Sequence, residues 1–259
     1  MSSSKFVNGT VSDLLTAVQF LTRIPVPNLP YAPDSLSRAV KFFPVVGLGI
    51  GSAAALLHLL IAPHLPRFVT ALLVIVFLAA VTGCLHEDGL ADTADGFGGG
   101  SNREQILVIL KDSRIGSYGG VALTLSLLAR VLLLASLPLT QVPQYLIAAH
   151  VLCRWTTLPL SYYLAPVRTQ LDAAGVGQGA RIASLTTRGT LLVGSIVTLA
   201  ICIWVLRTHA AAAIGITILV TLLSGLYFQR RIGGVTGDCF GATNQLAEIA
   251  VYLTGVWVA

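Results

Sequence analysis

Residues 68–95 read FVTALLVIVFLAAVTGCLHEDGLADTAD, eighteen residues without a charge, with a candidate span at 68–84, followed by His86, Glu87, Asp88, Asp92 and Asp95. At 1.5 Å per residue the uncharged part is long enough to cross most of a hydrocarbon layer of about 30 Å. Similar runs recur at 42–62, 117–138, 142–164, 190–206, 210–228 and 243–259. Across the 259 residues 55% are hydrophobic and only 10% are charged, with a mean hydropathy of +0.82. That leaves too little polar surface to cover a water-soluble globule. The sequence therefore predicts an all-α protein, a polytopic bundle with about seven transmembrane helices. No internal repeat, low-complexity tract or linker divides it, so residues 1–259 read as a single membrane domain.

Ahead of the first run, Val11 to Ile24 mixes Leu14, Leu15, Val18, Phe20 and Leu21 with Asp13, Thr16, Gln19 and Arg23. This pattern predicts a helix lying in the membrane interface, ended by Pro25, Pro27 and Pro30. The first residues lack an apolar core with a small-residue cleavage site, so a retained N-terminus is expected. Basic residues test the layout, because short cytoplasmic loops hold the excess of Lys and Arg. Twelve fall on the side of the N-terminus, only Arg67 and Arg207 on the other, and Arg130 and Arg154 lie within spans. The N-terminus is thus expected inside, with the long loops 85–116, 165–189 and 229–242 facing the cytoplasm. The net charge of +5 follows topology rather than forming a basic patch with interleaved aromatics, so nucleic acid is not an expected partner. Cys84, Cys153, Cys202 and Cys239 have neither paired nor metal-type spacing and read as packing residues.

Six of the eleven acids, Glu87, Asp88, Asp92, Asp95, Glu104 and Asp112, lie between positions 87 and 112. If 86–95 continues the second span as a helix, Asp88, Asp92 and Asp95 fall within about 60° of arc. Like charges about 4 Å apart repel by roughly 4 kcal/mol at an effective dielectric near 20, so such a stripe requires cations. Hard oxygen ligands in this number suit Mg²⁺, which keeps room for waters and substrate phosphates. A solvated acidic helix end would intersperse Lys with the acids, and this stretch does not. His86 is a candidate base, ligand or hydrogen-bonding neighbour of the carboxylates. Gly98 to Gly100 either open room for phosphate or serve helix packing.

Two further stretches belong to the same side. Lys111-Asp112-Ser113-Arg114-Ile115-Gly116 opens the third span, and Lys111 and Arg114 are phosphate-binding candidates as well as membrane anchors. The last loop, Gly233-Gly234-Val235-Thr236-Gly237-Asp238, leads into a span holding Asn244 and Glu248 one turn apart. A carboxylate at that depth is costly unless it faces a polar interior, so both are expected to face the site. By the same rule Arg130 and Arg154 are functional candidates or internal partners, and His58, His64, His150 and His209 are expected in structural or interfacial roles.

On these three motifs the chain resembles the cobalamin synthases, adenosylcobinamide-GDP ribazoletransferases. The likeness extends to Gln19-Phe20-Leu21-Thr22-Arg23-Ile24-Pro25-Val26-Pro27 and Phe43-Pro44-Val45-Val46-Gly47, and so covers nearly the whole sequence. At position 87 the family pattern also accepts an apolar residue. The resemblance implies a multi-pass protein of the cytoplasmic (inner) membrane and a Mg²⁺ requirement. Its implied reaction joins α-ribazole or its 5′-phosphate to adenosylcobinamide-GDP with release of GMP. In that reading Asp88, Asp92 and Asp95 hold metal, and His86 or Glu87 serves as base, as would a carboxylate not engaged by metal. Lys111, Asp112, Arg114, Asp238, Asn244 and Glu248 contact substrate. The residues alone reach only metal-dependent phosphoryl transfer, and they leave self-association open. Two rivals stand beside it. One is a CDP-alcohol-type lipid phosphotransferase, which shares an Asp-Gly-x-x-Ala stretch but has later spaced acids missing here. The other is a cation-coupled transporter, for which too few acids lie within the spans.

Overall fold

The computed structural model describes residues 9–27, 35–167 and 186–258, and these are helical almost throughout. In chain order the helices are α1 (Gly9–Leu21), α2 (Ser35–Ala39), α3 (Phe43–Ile61), α4 (Arg67–Thr82), α5 (Leu85–Gly99) and α6 (Arg103–Ile109). They continue with α7 (Ser117–Ser136), α8 (Val142–Trp155), α9 (Thr157–Tyr163), α10 (Arg188–Leu206), α11 (Ala210–Ile232) and α12 (Gly237–Val258). All seven predicted apolar runs coincide with helix. By length and apolar composition alone, three described stretches suffice to cross a membrane: Ser35–Ile61, Ser117–Ser136 and Arg188–Ile232. The bent pair α4 and α5 makes a fourth. Of the rest, α8 has 14 residues and α12 carries Asp238, Asn244, Gln245 and Glu248. The α8 helix is buried along most of its length, whereas α12 buries one side and exposes Leu246, Leu253 and Trp257.

The stretch Arg188–Ile232 folds back on itself. Gly194 lies against Leu158 of α9 and Gly225 against Leu160, although a straight helix would hold the two glycines about 46 Å apart. The reversal falls at Arg207, whose φ of 52° is in the left-handed region. The predicted run 142–164 is likewise two helices. Pro159 has no N–H to offer the Trp155 carbonyl, and the helix breaks at Thr156, whose hydroxyl donates to the Cys153 carbonyl (2.6 Å).

The predicted continuation of the second span through 86–95 is corrected. The α4 helix ends at Gly83 (φ 63°), Cys84 is also left-handed (φ 58°), and α5 leaves at 89° to α4. Glycine at the first position past a helix is the ordinary way to stop one; a second left-handed residue turns the chain sharply. The Arg23 side chain lies across Gly83 and the Arg23 N–H donates to the Val81 carbonyl (2.8 Å), fastening the segment after α1 onto this elbow. The region expected as a long loop from 85 is thus largely helix. The expected loop 165–189, with Arg168 and Arg181, lies mostly outside the described residues.

Backbones approach most closely where glycines remove the side chain. Gly47 and Gly51 seat α3 on the Leu146–His150 stretch of α8, where an added Cβ would run into the His150 carbonyl. This four-residue repeat of small residues is a common helix contact in membranes. At the N-terminal side, Asp13 of α1 is buried and pairs with Arg38 (3.2 Å) and Lys41 (3.1 Å), tying α1 to the entry of α3.

Candidate active site

The acidic helix α5 is held on two sides. Against α12, a Cβ at Gly89 would lie 2.9 Å from the Asp238 carbonyl oxygen, and one at Gly241 would lie 3.1 Å from the Gly89 Cα. Against α7, the Asp95 carboxylate accepts hydrogen bonds from the N–H groups of Gly116 (2.7 Å) and Gly119 (2.8 Å). These are free donors at a helix start, where a negative charge is favourable. Asp88, Asp92 and Asp95 do form one stripe, as the spacing predicts. Asp88 is exposed, Asp92 half-buried, and Asp95 is covered by the start of α7. Thr236 caps α12 by accepting from the Cys239 N–H (3.4 Å) and donates to Asp238 (3.2 Å), which places Asp238 in the first turn beside Gly89.

Two arginines close this mouth. Arg231 at the end of α11 donates to the carbonyls of Phe97 (3.2 Å) and Gly100 (2.9 Å), the last turn of α5, and stacks over Phe97 and Tyr227. In return Arg103 donates to the Ile232 carbonyl at the end of α11 (2.9 Å). Both also count among the twelve basic residues on the side of the N-terminus, where the topology rule alone accounts for them. Residues 165–167 complete the rim, with the Val235 N–H donating to the Ala165 carbonyl (3.0 Å) and the Val167 N–H to the Val235 carbonyl (3.1 Å). Between α6 and α7, Arg114 is exposed and forks onto Asp112 through Nε (2.9 Å) and Nη2 (2.6 Å). That pairing holds the Asp112 carboxyl down at about 2 and occupies part of a guanidinium predicted to serve phosphate. Lys111 is exposed beside it.

Behind α5 lies a second, fully buried layer. Arg130 of α7 points Nη1 at Glu87 Oε1 (3.0 Å) and at Glu248 Oε2 (3.6 Å), all three side chains being at most 6% exposed. His150 Nε2 of α8 lies 4.0 Å from Glu248 Oε1, and Arg154 Nη1 lies 2.8 Å from His150 Nδ1. His86, Asn244 and Tyr252 are buried, and Gln245 accepts from Ser126 (3.3 Å). Two arginines and two glutamates thus balance in the interior. The structure brings Glu87 and Glu248 together here and separates them from the outward Asp88 and Asp92. Asn244 and Glu248, predicted to face the site, belong to this inner layer; Glu248 stands eleven residues, about 16 Å, into α12. The grouping of Arg130, His150 and Arg154 with the motif residues escaped the sequence reading. Its signal was the presence of charges inside apolar runs.

Among the described residues, His150, Cys153 and Glu248 bring ligand atoms within 4.8 Å of one another, and no group of three drawn from Asp88, Asp92 and Asp95 does so. The inner trio is nevertheless a poor metal site. Arginine only donates, so His150 Nδ1 accepts from Arg154, and the neutral ring then carries its proton on Nε2, the nitrogen aimed at Glu248.

A protein-family model described as Cobalamin-5-phosphate synthase matches residues 13–256. Curated relatives include the adenosylcobinamide-GDP ribazoletransferase of Azorhizobium caulinodans, 42% identical over 96% of this chain and 96% of its own. Those of Sinorhizobium medicae (42%, covering 92% and 94%) and Vibrio cholerae (38%, covering 92% and 91%) carry the same name. No solved structure matches the chain.

Proposed function

Because the chain belongs to the cobalamin-5-phosphate synthase family, we propose that it joins α-ribazole or α-ribazole 5′-phosphate to adenosylcobinamide-GDP and releases GMP. The observation that carries this reading is the family match over residues 13–256, with relatives alike along nearly their whole length. It displaces the lipid phosphotransferase and transporter alternatives. In the reaction a ribose hydroxyl oxygen attacks the cobinamide-bearing phosphorus, the anhydride bond to GMP breaks, and the hydroxyl proton passes to a base. We place the mouth on the cytoplasmic face of a seven-span protein of the inner membrane, following the twelve-to-two division of basic residues.

The outward stripe of α5 suits Mg²⁺ by the chemistry of its donors. This ion is held by one or two carboxylates together with waters and phosphate oxygens, and does not need three converged protein ligands. Asp88 and Asp92, neighbours one helical turn apart, supply that pair, with Asp95 shared between the stripe and α7. A bound Mg²⁺ would neutralise charge developing on the phosphate oxygens. Asp238, whose backbone touches Gly89 between Asp88 and Asp92, is assigned the orientation of a substrate hydroxyl. Lys111 and Arg114 supply positive charge for the departing GMP. Glu87, held behind α5 by Arg130, is withdrawn from the base role, as is the buried His86. The proton goes to an outward carboxylate not engaged by metal.

The test is GMP release from adenosylcobinamide-GDP and α-ribazole by the purified protein in lipid, with and without chelator. Turnover that needs Mg²⁺ is expected. Asp88→Asn and Asp92→Asn should each abolish it while leaving membrane insertion intact, and near-normal turnover in both would refute the metal assignment.

A further inference from the structure

The three motif-bearing helices meet at one guanidinium: Glu87 on α5, Arg130 on α7 and Glu248 on α12. We propose that Arg130 is a positioning residue that, by holding Glu87, fixes the rotation of α5 about its own axis and so decides which carboxylates of the acidic motif face outward. Only the activity arm of its test rests on the transferase reading.

Several features of α5 suit such a device. The helix follows two left-handed residues, and its first residue has no side-chain cap from Cys84. Its crossing with α12 is made where the backbone of Gly89 meets Gly241, which allows close approach. Directional side-chain anchors on α5 include Asp95 on the start of α7 and Glu87 on Arg130, about 12 Å apart along the helix, besides the Arg231 contacts with its last turn. Glu87 and Asp88 are successive residues and point about 100° apart. Glu87 turned inward therefore means Asp88 turned outward, and a rotation by one residue would exchange them. With Arg130 removed, Glu87 and Glu248 would be like charges in an apolar interior, and the cheapest escape is for Glu87 to turn toward water. The guanidinium suits the task because Nη1 reaches both acids, while Arg130 Nε and Nη2 have no hydrogen-bond partner among the described residues.

The experiment uses the full chain in lipid with Cys84→Gly, which suits the left-handed backbone, the other three cysteines being buried. A single reporter cysteine is placed at the exposed position (Asp88→Cys) or the buried one (Thr93→Cys) and labelled with a water-soluble maleimide. With Arg130 present, the exposed position should react at least about tenfold faster. In Arg130→Gln the ratio should fall to within about threefold, and Arg130→Lys should recover part of it. Glu87→Gln, which keeps shape and loses only the charge, should lower the ratio in the same direction and serves as the reading if Arg130→Gln does not fold. An unchanged ratio in folded Arg130→Gln or in Glu87→Gln overturns the proposal, as does a purely structural effect in which yield and melting fall and the ratio stays. With the reporter absent, GMP release by Arg130→Gln should lose about 100-fold in kcat with KM within about threefold. A wild-type protein that releases no GMP would count against the transferase reading, and the labelling ratio would still decide the register.

Discussion

Adding one methyl group at Gly89 tests whether the crossing of α5 and α12 sets the geometry of the mouth. A Cβ there would stand 2.9 Å from the Asp238 carbonyl oxygen, 3.1 Å from the Gly241 Cα and 3.2 Å from the Asp238 Cα. All three are backbone atoms that no side-chain rotation can move aside. Carbon atoms pack best at about 3.5–4.0 Å, so Gly89→Ala must push the first turn of α12 away by roughly 0.5 Å. Overpacking of this kind costs about 1–3 kcal/mol, and the better helix propensity of alanine returns about 1 kcal/mol. The net loss should be about 0–2 kcal/mol. Activity should suffer more, because the displaced turn carries Asp238 past Asp88 and Asp92, and misplacement by about 1 Å can cost 100-fold. About a tenfold loss of GMP release per folded molecule is expected, read beside a thermal melt in the same lipid. Gly241→Ala opens the same crossing, so the double variant should be less damaging than the sum of the singles. The control is Gly49→Ala, on an exposed face of α3 with nothing within 4 Å of the added methyl; it should melt no lower and turn over normally. Wild-type turnover in Gly89→Ala, or equal damage from Gly49→Ala, would refute the reasoning.

Asp95→Asn should lower stability even without metal, since an amide offers one acceptor oxygen to the two N–H groups of Gly116 and Gly119; an unpaired buried donor costs about 1–3 kcal/mol. An unchanged melting profile would show that Asp95 has no such role. Arg231→Gln removes two hydrogen bonds to the end of α5 and should cost about 1–3 kcal/mol, with raised protease cleavage near Gly98–Gly100 as the readout. Arg114 holds Asp112 at about 2, below its ordinary 3.8. A depressed carboxyl contributes fully above its unfolded value and loses that contribution as pH falls through the folded one. The pair therefore persists to about pH 4 and fades toward pH 2. Asp112→Asn should accordingly leave the shape of the activity profile unchanged between about pH 5 and 8, and a new inflection there would contradict this.

Much of the fold was legible because lipid leaves the chain few options. Run lengths placed all seven apolar segments on helices. Nothing local announced that Cys84 would also be left-handed or that α5 would leave at 89°, since that turn depends on α7 and α12 receiving the acidic helix. The carboxylate stripe followed from periodicity, yet the fate of Asp95 depended on glycines more than twenty residues on. The inner layer was harder still. Arg130 and Arg154 signalled polar surroundings by their depth, but which acids they meet is a matter of helix packing, and Glu87 looked like one more member of the outward cluster. Arg103 and Arg231 were hidden for a different reason: a basic residue at a helix end satisfies the topology rule and a capping role equally well.

The balance of charge inside the bundle also has a history, because the helices are made in order. Glu87 and Arg130 lie on helices completed before α8, whereas Arg154 follows with no acid of its own until Glu248 arrives 94 residues later. At about 5–20 residues per second, the growing chain carries a surplus of one arginine for roughly 5 to 20 s. An arginine at the centre of an inserting helix costs about 2.5–3.5 kcal/mol, a burden that neighbouring helices or the insertion machinery must bear for that interval. The last helix is therefore the counterion as well as a wall of the bundle, and its docking is the step at which the interior becomes neutral.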